Sequence, residues 1–366
     1  RCATGPPNEV QPRRKNTLAT SRMLLAIVIQ PDTTTAEIWQ SAEPLAATVS
    51  LLKALRLRYA LLIMTQPGLA LERRSVLAGL AALACQSHAA PPIAATPSVV
   101  SAPAPVYAEQ LAKLEQETSG RIGVAAWDLA TDQRVNYREH ERFLFCSTFK
   151  FPLAGAVLQR VDAGKEQLDR RIPYDASVLM ENSKITSDHV SEGGMTVGAL
   201  CEATVIISDN AAGNLLLDSI GGPPALTAFF RSLGDSVSRL DRNEPTLNTS
   251  IPGDPRDTTT PNAMLEDMRR ITKGRRGEVQ NLALIPLMLA CKTADHRIRA
   301  GLPKGWKCGN KTGTGANGST NDIAIIFPPN RKPVFMTVYY TGSKEDTPKR
   351  EAVIADVARI VSKTLV

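Results

Sequence analysis

Apolar positions along this chain recur with two different periods, and the change of period divides it. Helical spacing runs over residues 107–117 and then through a long stretch from 147 to about 220. Alternation with period two marks residues 121–129 and 134–138. Ala130-Thr131-Asp132 supplies the turn between them, which predicts a hairpin. Gly221-Gly222-Pro223-Pro224 opens a further helix, and residues 240–261 are polar, turn-rich and aperiodic. Helical spacing returns at 262–272 and 279–291. Strand patterns follow at 306–314, 321–327 and 333–340, and a helix at 348–365 comes last. Strands at both ends with helices between them predict an α/β (α+β) sandwich. Its antiparallel five-stranded sheet comes from both chain ends, with a mostly helical lobe, about 140–290, inserted. Ligand sites favour the seam between such lobes.

Ahead of this pattern the chain reads differently. Residues 1–63 carry no recognisable motif, and the apolar stretch 48–64 is broken by Lys53, Arg56 and Arg58, too charged for a membrane span. From Met64 the layout changes to that of an export signal: Arg73-Arg74, an apolar run at 76–84, then small residues at 87–90. The arginine pair fits a twin-arginine route. The expectation is that translation begins at Met64 and that residues 1–63 are an over-extended reading frame. Residues 64–90 are then the signal, 91–105 a flexible Pro/Ala/Ser-rich lead-in, and 106–366 the folded domain, delivered to the bacterial periplasm.

Composition adds little beyond exclusion. The net charge is +7. Residues 1–63 hold eight Lys/Arg against four Asp/Glu, so the body is close to neutral and gives no reason to expect nucleic-acid binding. The six cysteines show no C-x-x-C pair and no zinc-ligand spacing with the four histidines, so no metal is expected. His140, His189 and His296 read as surface or locally bonded residues.

The candidate chemistry begins at Ser147-Thr148-Phe149-Lys150. Residues three apart share a helix face, so the Lys150 amine can reach the Ser147 oxygen. A serine needs such help, from a base or a cation, to act as a nucleophile. Alone, S-x-x-K is a common helix start. Three further motifs accompany it in order: Ser208-Asp209-Asn210, then Glu244-Pro245-Thr246-Leu247-Asn248, then Lys311-Thr312-Gly313.

With these four motifs, the chain from about residue 105 onward resembles the class A serine β-lactamases, members of the penicillin-recognising serine hydrolases. The resemblance implies the β-lactamase/transpeptidase-like fold and assigns roles. Ser147 is the nucleophile, with Lys150 beside it as a partly buried amine able to act as base. Ser208 passes a proton to the departing lactam nitrogen. Asn210 binds the substrate's amide side chain, and Asp209 points inward. Glu244 is the general base toward the deacylating water, which Asn248 also holds. Arg242 and Asp257 form the ion pair that closes the omega loop. Lys311 and Thr312 hold the substrate carboxylate, Gly313 lets substrate approach the strand, and the N–H groups of Ser147 and Thr314 form the oxyanion hole.

The chain departs from the family's pattern in places. Thr320 stands where many relatives carry an arginine, and Arg297 is the substitute cation expected here. Asn182 stands where relatives often present an aromatic residue. Ala154 removes the common disulfide to Cys201, which then reads as a small buried residue. Cys146 packs before the nucleophile, with no cysteine at position 315 to bridge it.

The expected activity is hydrolysis of β-lactam antibiotics through a Ser147 acyl-enzyme, giving resistance. It needs no cofactor, no nucleic acid and no stable membrane partner, and a monomer is expected. A penicillin-binding D,D-peptidase is the alternative that shares Ser, Lys and the K-T-G strand but lacks a deacylating carboxylate. A non-catalytic penicillin-binding sensor is the other.

Overall fold

Period-two alternation builds the centre of the molecule. In this computed structural model, which describes residues 105–273 and 278–365, five strands form one antiparallel sheet: β1 (Arg121–Asp128), β2 (Arg134–Tyr137), β3 (Lys307–Thr314), β4 (Thr320–Phe327) and β5 (Val334–Thr341). Their order is β2-β1-β5-β4-β3. β1 pairs with β5 along its whole length, from Arg121 opposite Thr341 to Asp128 opposite Val334. The sheet is therefore closed by strands from the two ends of the described region, as the alternating pattern predicts.

The principal helices are α1 (Val106–Thr118), α2 (Lys150–Asp162), α3 (Asn210–Ile220), α4 (Gly222–Leu233), α5 (Pro261–Lys273), α6 (Glu278–Leu289) and α7 (Thr347–Leu365). They cover both faces of the sheet. On one face Ile122, Val124, Ala126, Ile326 and Val338 pack beneath Leu111 of α1 and Ile354, Val357 and Val361 of α7. On the other face Ala125, Ile323, Ile325, Phe335 and Tyr339 pack against Phe145, Phe149, Phe151, Met264 and Leu284 of the inserted lobe. Successive strand residues point to opposite faces, so each residue's parity selects its core. Within the lobe the Phe145 and Phe230 rings stack with centroids 5.5 Å apart, an arrangement that adds about 0.5–1.5 kcal/mol beyond area burial.

Helical stretches dominate from 147 to 220, as the spacing leads one to expect, but they are interrupted. Ser147 lies in a 3₁₀ turn, Cys146–Phe149, and the α-helix proper starts at Lys150. α2 then stops at Asp162, with Gly164 in the left-handed region at φ 68°. A two-stranded ribbon follows, Arg171–Pro173 against Gly194–Thr196, with only short helices around it, Lys184–Asp188 and Val197–Glu202. The cause is local. Pro173 offers no N–H to a helix, and a Cβ on Gly194 would collide with the Ile172 carbonyl oxygen. The expectations for residues 1–104, the extension, export signal and lead-in, lie outside the described residues.

Candidate active site

Two residues in left-handed backbone shape this site. Cys146 has φ 46° and Ser208 has φ 65°, a conformation that costs an L-residue roughly 1–2 kcal/mol. At Cys146 the chain turns sharply out of β-structure, so that Ser147 follows at the mouth of the 3₁₀ turn and Lys150 opens α2. At Ser208 a π-helical turn, Ala203–Ile207, ends and α3 begins with Asp209 as its N-cap, accepting from the Ala212 N–H at 2.9 Å. The buried Asp209 carboxylate also accepts from the N–H groups of Ile185 and Thr186 and from the Thr186 hydroxyl. It points inward and ties the connection to the lobe, as the sequence leads one to expect.

Three chain segments meet at Lys150, whose side chain is fully buried. Its Nζ lies 3.3 Å from Ser147 Oγ, 2.9 Å from the Ser208 carbonyl oxygen, 2.5 Å from Asn210 Oδ1 and 3.0 Å from Glu244 Oε1. The Ser147 hydroxyl donates to Glu244 Oε1 at 3.2 Å. Burial pulls the Lys150 pKa down, because a charged amine loses its hydration, and the adjacent Glu244 carboxylate opposes that shift.

Glu244 is held from both sides. Asn248 Nδ2 donates to its Oε2 at 2.5 Å, while Asn248 Oδ1 is buried without a protein partner. The Asn214 amide brackets the main chain of Glu244: Glu244 N–H donates to Asn214 Oδ1 at 3.0 Å, and Asn214 Nδ2 donates to the Glu244 carbonyl at 2.9 Å. Sequence reasoning missed Asn214. Its signal was an amide four residues after Asn210, on the same helix face and beside an apolar run. Further along the loop, Arg242 Nε meets Asp257 Oδ2 at 2.5 Å, and Asp257 Oδ1 accepts from the N–H groups of Asp241 and Arg242.

β3 forms the facing wall. Lys311 is fully buried, and its Nζ donates to Ser208 Oγ at 2.9 Å and to the Thr312 carbonyl at 2.7 Å. Burial first, and then the neighbouring Lys150 charge, bring its pKa down to about 7. A Cβ on Gly313 would lie 2.9 Å from Cys146 Cβ and 3.1 Å from Ser147 N, so only glycine lets the strand press against the nucleophile turn. Gly315 likewise leaves room for the Cys146 sulfur, 2.8 Å from its would-be Cβ. Desolvation pushes the Cys146 thiol well above the usual range, which keeps it protonated and unreactive. Cys201 is a buried free thiol, and Ala154 is buried as well.

Arg297 reaches the end of β3 as a buried group. It donates to the carbonyls of Gly313 and Asn321 at 2.8 and 2.7 Å and to Thr314 Oγ1 at 2.7 Å, and it pairs with Glu351 at 3.1 Å. It thus touches the cleft through Thr314, which is exposed, rather than as an open cation. Asn182 is exposed, with φ 59°, and its carbonyl accepts from the Asn210 N–H. His140 is exposed and His189 bonds Glu192.

Two cavities, about 670 Å³ beside Arg160 and Lys165 and about 560 Å³ beside Phe143 and Pro252, share no residue with this cluster. Among the described residues no group of three or more His, Cys, Asp or Glu could hold a metal, and no helix is long and apolar enough to cross a membrane.

Known proteins are similar over the region that carries this cluster. The family profile described as "Beta-lactamase enzyme family" matches residues 107–365. Beta-lactamase OXY-2 of Klebsiella oxytoca is 44% identical over 258 residues, covering 70% of this chain and 89% of that protein. Beta-lactamase Toho-1 of Escherichia coli is 42% identical over 291 residues, covering 79% and 97%. Among solved structures, the class A β-lactamase of the last common ancestor of Gram-negative bacteria is similar with a TM-score of 0.69 and 55% identity, covering 71% of this chain and 99% of that one. The structure described as "Putative Class A Beta-Lactamase PenP from Rhodopseudomonas palustris" has the same TM-score at 47% identity, covering 70% and 99%.

Proposed function

The chain belongs to the β-lactamase enzyme family, as a class A serine enzyme that hydrolyses β-lactams and confers resistance to them, and from that premise we infer how its residues share the work. Ser147 Oγ attacks the lactam carbonyl. The carrying observation is its position between Lys150 Nζ at 3.3 Å and Glu244 Oε1 at 3.2 Å. The hydroxyl already donates to Glu244, whereas Lys150 is turned toward three oxygen acceptors. We therefore give the first proton to Glu244 and let Lys150 stabilise the developing alkoxide.

The tetrahedral oxygen is received by the N–H groups of Ser147 and Thr314; the close fit of Gly313 on the Ser147 amide supports this. Ser208, oriented by its hydrogen bond from Lys311, protonates the leaving nitrogen; the proton that Glu244 took from Ser147 passes back to Ser208 by way of Lys150, which leaves Glu244 ionised for the second half of the reaction and Lys311 still charged. Asn210 takes the substrate's amide side chain. Lys311 and Thr312 take its carboxylate, and Arg297 acts there through Thr314. Deacylation uses a water held by Glu244 and by Asn248, whose unpartnered Oδ1 offers it an acceptor. Arg242 and Asp257 keep the loop that carries Glu244 closed.

Residues 64–90 act as an export signal and the enzyme works as a periplasmic monomer. The Arg73-Arg74 pair before an apolar run supports the first point. A mature chain beginning before Met64 in N-terminal sequencing of exported protein contradicts it.

The decisive experiment follows nitrocefin turnover by residues 91–366, with intact mass in parallel, for the native chain and for Glu244→Gln. Native protein turns over steadily. The variant acylates and then clears its adduct about 10²–10⁴-fold more slowly, the usual size of a general-base contribution. Normal clearance by the variant removes Glu244 from the assignment.

A further inference from the structure

The hydroxyl of Thr312 does not stand alone on β3. Its Oγ1 lies 2.6 Å from Thr293 Oγ1, which in turn lies 3.3 Å from Cys291 Sγ. Thr312 is 4% exposed and Cys291 3% exposed, with the half-buried Thr293 between them, so the three groups form one chain behind the cleft wall. The loop that carries Thr293 is pinned from both sides: Cys291 N–H donates to the Met288 carbonyl, and Lys292 N–H donates to the Ile206 carbonyl. Among the described residues no other hydrogen bond reaches the Thr312 hydroxyl.

We propose that Thr293, backed by Cys291, is a positioning residue that makes the Thr312 hydroxyl a donor toward the substrate carboxylate. The proposal rests on the reading of Thr312 given above. Each hydroxyl has a single proton, so the Thr312–Thr293 link can run in only two directions. In one, Thr312 gives its proton inward to Thr293 and nothing remains for the cleft. In the other, the Cys291 S–H donates to Thr293, Thr293 donates to Thr312, and the Thr312 proton faces outward. A carboxylate accepts and never donates, and hydrogen bonds to an ionised acceptor are about twice as strong as neutral ones. An arriving carboxylate therefore selects the outward order. Each donor is polarised by the one behind it, which strengthens the last bond. Lys311 cannot set this order, because its ammonium reaches the carbonyl of Thr312 and the hydroxyl of Ser208, not the Thr312 hydroxyl.

The test compares a carboxylate-bearing cephalosporin with its carboxyl methyl ester, using Thr293→Val, Thr293→Ser and Thr312→Val. Thr293→Val removes only a hydroxyl at nearly constant volume. It raises KM for the acid about 3- to 10-fold, the size of one neutral hydrogen bond, with kcat changed less. It leaves KM for the ester as in the native enzyme, and Thr293→Ser restores the native KM for the acid. An equal KM rise for acid and ester means a merely structural role and overturns the proposal. So does an unchanged acid KM in Thr293→Val when Thr312→Val raises it. If Thr312→Val itself leaves the acid KM unchanged, the carboxylate reading of Thr312 fails and the proposal falls with it.

Discussion

Ser147 and Glu244 meet at 3.2 Å, yet the two segments that carry them are held by opposite means. The nucleophile turn is fixed by apolar mass. Phe145, Phe149, Phe151 and Leu153 are fully buried around it, and Phe145 stacks on Phe230. The loop spanning residues 239–258 buries only Leu240 and Leu247 among its large apolar side chains. Polar bonds hold it instead: the Arg242–Asp257 pair, the Asn214 bracket on Glu244, and a 2.8 Å contact between the hydroxyls of Ser250 and Ser319. Dispersion and burial are spread over many atoms, so losing one group weakens the whole fold. A few directional bonds concentrate the restraint, so losing one frees a local element first. The acylating half of the site should thus share the fate of the global fold, and the deacylating half should be able to fail alone.

The strongest challenge to that contrast is Phe230→Ala. Removing a buried aromatic costs about 3–5 kcal/mol, and the variant should melt earlier while its folded fraction keeps a native acyl-enzyme lifetime. A selectively prolonged lifetime would blur the distinction. Asp257→Asn makes the complementary cut. Loss of a charged acceptor for Arg242 and two N–H groups costs about 1–3 kcal/mol. Adduct lifetime by intact mass should lengthen far more than the melting temperature falls. Equal, proportionate changes in both would refute the picture of a separately held loop.

The smallest effect concerns charge on β3. With its pKa near 7, Lys311 is charged below that pH and neutral above it. Its attraction for a carboxylate is therefore present at pH 6 and lost as pH rises through 7 to 9. KM for a carboxylate-bearing substrate should rise about fivefold over that range, as a charge-assisted bond worth about 1 kcal/mol more becomes a neutral one. The ester should show no such slope.

The parts legible in sequence share a cause. Ser147, Lys150, Ser208, Asn210, Glu244, Asn248 and Lys311 were visible because the chemistry demands those residue types at those spacings, and the structure brings them into one contact network. The sheet was visible because its strands alternate between two cores. What escaped depends on contacts distant in sequence. The left-handed backbone at Cys146 and Ser208 is imposed by the surrounding fold rather than by glycine. The break after Asp162 is stabilised by a ribbon partner more than twenty residues away. Asn214 and Thr293 belong to no motif, and only three-dimensional proximity to Glu244 and Thr312 gives them meaning. Arg297 was legible as a cation near the site, but its engagement by Glu351 and two main-chain carbonyls was not.

α1 and α7 lie together on the sheet face turned away from Ser147. A fluorophore, affinity handle or solid support attached to either helix would be carried on the rear of the body. Such attachments would leave access to the antibiotic undisturbed, which makes this layout suited to reporter fusions and to immobilised sensing.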